Sequence, residues 1–180
     1  VTDFITDGYD KFADAETDDT SLLLGGPSTA TTAQNLVTQC NNRKDCIVFL
    51  SPPKDAVLSS TDVPKKNYVQ AGNVVAYRKG QDGREIGGDV NYATSNLNVS
   101  SSFAFLDSGW KYIFDRFNDV FRYVPLNGDV AGIAARSDIT SETWFSPAGF
   151  NRGQLNNVVS LAFNPNKASR DELYKNGINP

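Results

Sequence analysis

Cys40 and Cys46 are the only thiols in a chain of 180 residues, and no histidine accompanies them. That limits the chemistry at once. Ser-His-Asp and Cys-His systems need an imidazole to take a proton, and His-ligated zinc or haem needs one as a ligand, so all are excluded. Two thiols alone do not complete a zinc site, and a disulfide framework belongs to secreted chains richer in cysteine. The pair reads as two small, half-buried side chains flanking a helix-to-strand turn.

Two other stretches carry chemical residue types. Residues 1–20 hold Asp3, Asp7, Asp10, Asp14, Glu16, Asp18 and Asp19 against Lys11. Their spacing does not follow the calcium-loop pattern D-x-[DN]-x-[DN]-G with a terminal glutamate. A solvated acidic connector with one short helix around Tyr9 to Ala13 accounts for them. Gly25-Gly26-Pro27-Ser28-Thr29 stands where a phosphate loop would, ahead of a helix N-terminus. Neither G-x-G-x-x-G nor G-x-x-x-x-G-K-[ST] is present, and the loop has no lysine, so turn chemistry with capping threonines explains it. The net charge of −4, from 17 basic and 21 acidic side chains, argues against nucleic acid as a partner. No apolar run approaches the roughly 20 residues of a membrane span, and the acidic N-terminal residues are unlike a signal peptide. The sequence begins at Val1 without methionine and stops at Pro180, which leads us to expect a fragment of a longer protein.

The elements that must position these residues fit one domain over residues 21–180. Ser21-Leu22-Leu23-Leu24 reads as a buried strand. Ala33, Leu36, Val37 and Cys40 recur at helical spacing, with Thr29, Thr31 or Thr32 to cap the start and Arg43 and Lys44 to suit the end. Cys46-Ile47-Val48-Phe49-Leu50 is the next strand, ended by Ser51-Pro52-Pro53, and a right-handed parallel crossover is the default connection. Asp62 before Val63-Pro64 predicts a helix start, Tyr68, Ala71, Val74, Val75 and Arg78 its spacing, and Gly80 its stop. Residues 81–102 read as a long polar loop, of the length that has a job or moves. Asn98-Val99-Ser100 matches a glycosylation sequon, discounted without a secretory signal.

The stretch from Trp110 to Arg152 is built to be packed, holding both tryptophans with Phe114, Phe117, Phe121, Phe145 and Phe150. Ser102 to Leu106 precedes it as a third strand. Alternation over Trp110 to Asp115 and Val120 to Val124, around Asn118-Asp119, predicts an antiparallel hairpin. Arg116, Asp119 and Arg122 read as solvated charges rather than an ion-pair cluster. After Pro125, Asn127 is expected to cap a helix with Val130, Ile133 and Ala134 inward, ending at Arg136-Ser137-Asp138. Trp144 to Arg152 is a loop, Val158 to Phe163 a strand, and Ser169 with Glu172 a capping box on a last helix closed by Gly177. The fold class is therefore α/β, a mainly parallel sheet flanked by helices with an attached antiparallel hairpin.

Tyr123-Val124-Pro125, Gly128-Asp129-Val130-Ala131-Gly132-Ile133-Ala134-Ala135-Arg136-Ser137-Asp138, Trp144 and Pro147-Ala148-Gly149 together resemble the signature of contractile tail sheath proteins. The likeness is closest to T4-like bacteriophages through Ser146 to Gln154, with Asp45-Cys46, Ser51-Pro52-Pro53, Tyr112, Asn118-Asp119, Arg170-Asp171, Leu173-Tyr174 and Ile178-Asn179-Pro180. It spans Leu22 to Pro180. The chain departs from the family at Leu126-Asn127, where many members have Pro-Ser, at Ser141 or Glu142, where they have glycine, and in the 81–102 loop. The resemblance implies the inner, tube-proximal core of a longer subunit whose N- and C-terminal linking arms lie outside this sequence. It implies a structural role in hexameric rings around a tail tube, contracting to drive the tube through the host envelope, in a virion assembled in host cytoplasm. Other sheath subunits, the tube protein, baseplate and tail terminator are the implied partners. Neither a cofactor nor a catalytic residue is implied, nor any membrane insertion.

Two readings from other classes stay open on the residues themselves. An α/β enzyme would use Asp, Glu, Lys or Tyr at the strand ends near Gly25 and Ser51, or hold a small molecule there. An isolated binding module would show a continuous apolar patch. For assembly or tube contact the candidates are Trp144, Phe145, Phe150, Lys167, Arg170 and Lys175. Loop packing for the aromatics, and an ordinary solvated face for the basic residues, stand beside that reading.

Overall fold

A computed structural model describes residues 8–142 and 144–180. Asp3 and Asp7 of the acidic run lie outside the described residues. Its first sheet is three-stranded and wholly parallel, in the order β1 (Leu22–Leu24), β2 (Ile47–Leu50), β3 (Ala104–Leu106). Leu23 pairs with Val48 and Leu50 with Leu106, so the predicted apolar runs align side by side. Helix α1 (Ala30–Arg43) joins β1 to β2 and buries Ala33, Leu36, Val37 and Cys40, the face its spacing predicts. Thr29 is the cap among the three threonines, its Oγ1 accepting from Thr32 N at 3.3 Å. Lys44 closes the helix in the left-handed region at φ 66°.

Arg43 does more than complement the helix end. Its guanidinium donates to the carbonyls of Phe12 and Asp18 and to both oxygens of Asp45. With Tyr9 Oη donating to Leu24 O and Gln39 Nε2 to Asp10 Oδ1, this ties residues 8–20 to the domain. Cys40 and Cys46 are fully buried rather than half-buried, because the turn between them folds under this network.

Helix α2 (Lys54–Val57) is a single turn after Pro53, and α3 (Asn67–Lys79) follows it. The predicted start at Asp62 is wrong. Asp62 adopts φ 58°, pairs with Lys54 at 2.7 Å, and Pro64 bridges back to Leu58, so the proline sits in a tight return rather than a first helical turn. Gly80 ends α3 as expected, at φ 71°.

Residues 81–102 are a structured wrap, not a loose polar loop. A 3-10 turn (Gly83–Ile86) lies against α3, and Asp82 bridges to Asn91. Tyr92 packs edge-on to Tyr77 at 5.6 Å and donates to Asp55 Oδ1. Gly72 is what allows the close approach: a Cβ there would lie 2.6 Å from Gly88 N and 2.9 Å from Ile86 O. Backbone, not a flexible side chain, would have to move. Gly72→Ala is therefore expected to lower stability by about 2 kcal/mol despite the better helix propensity of alanine, read as a lower urea midpoint at constant slope. An unchanged or raised midpoint would mean that the wrap yields freely.

The hairpin is observed as β4 (Trp110–Asp115) and β5 (Val120–Pro125), with Tyr112 opposite Tyr123 and Phe114 opposite Phe121. It gains a third strand, β6 (Ser160–Leu161), so a second sheet runs β5-β4-β6. The strand expected over Val158–Phe163 is cut to these two residues. Val159 N and Ala162 N flank the pairing by donating to Tyr112 O and Trp110 O of β4, while the Ala162 and Phe163 side chains turn into the core and Ala162 O accepts from Gln70. Helix α4 (Asn127–Thr140) runs beyond the predicted stop at Asp138 and half-buries Val130, Ile133 and Ala134. The last helix, α5 (Lys167–Lys175), is capped by Asn166 and not by the Ser169-Glu172 box: Asn166 Oδ1 accepts from Ser169 N at 2.9 Å. Gly177 takes φ 70° one residue past the Asn176 cap. The described residues contain no helix long and apolar enough to cross a membrane.

Candidate functional site

In open parallel sheets ligands bind beyond the carboxyl ends of the strands, so those ends come first. Here they are Gly25, Ser51 and Asp107. The start of α4 closes over them. Asn127 N donates to Ser51 Oγ at 3.0 Å, Ser51 Oγ donates to Asp107 Oδ2 at 2.6 Å, and Asn127 Nδ2 donates to Gly26 O at 2.8 Å. Asn127 is thus the first helical residue and not the cap. Its side chain pins the glycine loop from above, and the helix N-terminus is served in trans by Ser51. In the Gly25–Thr29 turn, Gly26 O serves this closure and Thr29 caps α1, as the turn reading expects, while Ser28 Oγ is buried without a partner.

Asp107 is the one strand-end group with unusual electrostatics. Burial pushes its carboxyl up to about 7, against the hydrogen bonds from Ser51 and Gly109 N. It lines a groove of about 530 Å³ shared with α4, the 146–155 loop and α5, where Leu126, Val130, Phe163 and Tyr174 make the walls and Arg170 stands at the edge. Both carboxylate oxygens are already engaged by the fold. The described residues hold no group of three or more His, Cys, Asp or Glu suited to a metal ion.

The surface says more. Trp144 is 77 % exposed and Phe150 90 %, which overturns the loop-packing reading for both. They sit in a loop held at its base, where Arg136 donates to Arg152 O and Gly153 N to Gly149 O. Phe145 stacks near Trp144 at 6.4 Å, and the Arg152 guanidinium lies 5.0 Å from its ring, so it is the supported member of the group. Lys167, Arg170 and Lys175 are all exposed on α5, but Asp171 and Glu172 are exposed on the same helix, so the face is mixed in charge. The structure does not gather the six candidates into one patch: the aromatics belong to the 144–152 loop, and of the three basic residues Arg170 alone reaches the groove beside it.

The hairpin adds residues that sequence reasoning assigned to packing. Tyr112 lies 5.3 Å from Phe121 and 4.7 Å from Tyr123, and Phe114 lies 5.0 Å from Phe121. These four rings make a stripe on one sheet face in which Phe121 is exposed and Tyr112, Phe114 and Tyr123 are half-buried, Tyr123 against the core, and Phe117 at the tip is fully exposed. On the opposite face Lys111 is buried, donating to Asp129 Oδ1 on α4 at 2.8 Å, while Val120 and Arg122 nearer the tip are exposed. Arg122 pairs with Asp115, not with Asp119, and the Asn118 side chain with the Phe117 N–H holds the Asp115 carboxyl below the usual carboxylate range. Alternation signalled that the hairpin has two faces. That Lys111 is buried depends on Asp129 of α4, and no local signal gives that.

Comparison with known proteins agrees with this surface-dominated picture. The family model described as the phage tail sheath protein central domain matches residues 5–180. A tail sheath protein of Enterobacteria phage T4 is 39 % identical over 183 residues, covering 98 % of this chain and 26 % of that protein. One from Vibrio phage KVP40 is 39 % identical over 181 residues, covering 96 % of this chain and 26 % of that protein. One from Salmonella phage ViI is 34 % identical over 146 residues, covering 81 % and 20 % respectively. The chain therefore spans about a quarter of the length of the curated relatives it matches.

Proposed function

Since this chain belongs to the phage tail sheath protein family, we propose that it is the tube-proximal core of a structural sheath subunit. The observation that carries this is the central-domain match over residues 5–180, together with relatives that share the likeness from end to end of the chain. The subunit is a virion component that packs with further copies of itself around a tail tube. Its finer cycle follows from the family: hexameric rings stack in an extended helix, the baseplate triggers contraction, and the tube is driven through the host envelope. Open helical arrays of this kind need heterologous contacts that do not close on themselves. The work is stored as a difference between two packings of rigid subunits, so the role is structural and not catalytic.

Supporting this reading, the strand ends where an α/β enzyme would bind substrate are spent on holding α4, while large aromatics stand out from the surface. Trp144, Phe150, Phe117 and the hairpin stripe are the contact residues we assign, with Lys167, Arg170 and Lys175 on the neighbouring helix. Exposed side chains contribute little to folding, so Trp144→Ser with Phe150→Ser is expected to shift stability by no more than about 1 kcal/mol. The same pair in the intact subunit is expected to prevent sheath assembly around tubes, scored by electron microscopy of negatively stained tails. Normal sheaths from the double variant would remove these two residues from the contact. Electron cryomicroscopy of extended and contracted tails tests the placement: this segment should lie in the layer next to the tube, and finding it at the outer surface would overturn the assignment.

A further inference from the structure

The two thiols reach across a turn to one another. Cys40 sits in the last turn of α1 and Cys46 immediately precedes β2, and the two sulfurs are 3.3 Å apart. We propose that Cys40 and Cys46 are a redox-modification site, closing a reversible intramolecular disulfide when the protein meets an oxidising environment. Covalent S–S contact at about 2.05 Å then requires the sulfurs to approach by little more than 1 Å.

Three features favour this pair over an accidental contact. Both side chains are buried, at 0 % and 2 % exposure, so neither meets a thiol of another molecule as readily as it meets its neighbour. The turn between them is fixed at both sides, Lys44 by its left-handed backbone and Arg43 by Asp45 and the carbonyls of residues 12 and 18. No third cysteine competes. The step balances with a low-molecular-weight disulfide as oxidant. One thiolate attacks it, its own proton passing to water, and expels one small thiolate. The second cysteine then attacks the mixed disulfide and expels the other. The net change is two protein thiols and one small disulfide giving one protein disulfide and two small thiols. Burial, with the neighbouring Cys46 thiol, pushes Cys40 up to about 12, so the thiolate is scarce and reaction waits on local opening of the exposed Asp45 side of the turn. A virion component exists outside cells, where disulfides persist, whereas host cytosol keeps thiols reduced. That choice of compartment rests on the sheath reading; the reaction rests only on the two sulfurs.

The test equilibrates the 180-residue chain in glutathione buffers from reducing to oxidising, quenches with acid, then denatures, alkylates with N-ethylmaleimide and weighs it intact. The expected result is a passage from doubly alkylated to unalkylated chain, with the mass lower by both thiol hydrogens, no glutathione attached and no dimer. Closing so short a loop is expected to raise Tm by about 5 °C. Cys46→Ser, which leaves one thiol, should show neither the masking nor the rise. A glutathione adduct, a cross-linked dimer, or double alkylation at every ratio would overturn the proposal. None of these bears on whether the segment lies next to the tube.

Discussion

Asn73→Ala is expected to cost about 3–5 kcal/mol of unfolding free energy and to release the 81–102 wrap from α3. Asn73 is fully buried and uses every hydrogen-bonding group its side chain has. Nδ2 donates to Ala56 O at 3.0 Å and to Asp89 Oδ1 at 2.7 Å, while Oδ1 accepts from Asp89 N at 2.8 Å and Val90 N at 3.1 Å. Truncation leaves Ala56 O and the Asp89 and Val90 N–H groups without this partner, at about 1–3 kcal/mol for each that stays buried, while the exposed Asp89 carboxylate keeps Lys65. The loss exceeds that of an ordinary core truncation because the amide joins α2, α3 and the wrap at one point. Asn73→Asp is expected to do at least as much harm, since it sets a second carboxylate against Asp89. Burial already works against the charge on Asp89, and Lys65, Asn73 and a backbone N–H hold its carboxyl below the usual range. Urea denaturation gives the free energy, and hydrogen exchange at residues 88–97 tells where it was lost. A variant within 1 kcal/mol of the parent, with those amides still protected, would show that the wrap is held by its apolar contacts instead.

Asp107→Asn is expected to abolish one contribution to the effect of pH on stability over a defined window. The carboxyl is raised from an ordinary 3.8 to about 7 by burial beneath α4, with a smaller push from Asp129. Between these values the folded chain keeps a proton that the unfolded chain has released, so stability falls as pH rises. The contribution is complete below about pH 4 and gone above about pH 7, a span of the order of 4 kcal/mol. Asparagine keeps both contacts, accepting from Gly109 N and donating to Ser51 Oγ, and has no proton to lose. The variant is therefore expected to be more stable than the parent at pH 8, with the difference in Tm shrinking steadily toward pH 4. Thermal melts of both proteins between pH 4 and 9 isolate the effect as the difference between two curves. Parallel curves would mean that water reaches Asp107 and the Ser51–Asp107–Asn127 chain is not sealed. Because that chain ties α4 to the parallel sheet, its loosening is expected to free the helix that carries the second sheet against the first.

How much of this was legible beforehand follows the range of the interactions. Helix α1, a threonine cap among Thr29, Thr31 and Thr32, and its buried face were readable because a cap and a helical repeat are set by residues three or four apart; the structure selected Thr29. The three parallel strands and the hairpin were readable as apolar runs and alternation between turn residues, and the family resemblance summed many such local choices over the whole domain. The start of α3, the role of Asn127 and the order within 81–102 were not. Asn127 is committed to a carbonyl 101 residues earlier and Ser51 to a carboxylate 56 residues later, and such partners leave no mark on the local pattern. The contact residues divide in the same way. Composition made Trp144, Phe145 and Phe150 visible as large aromatics in a turn-rich loop, yet a large aromatic serves a core or an interface equally well. Only the tertiary structure decided that Trp144 and Phe150 point outward, that Lys111 is drawn under α4 by Asp129, and that Phe121 and Phe117 stand in solvent. Local sequence determines which faces an element has, and packing between distant elements determines which of them meets water.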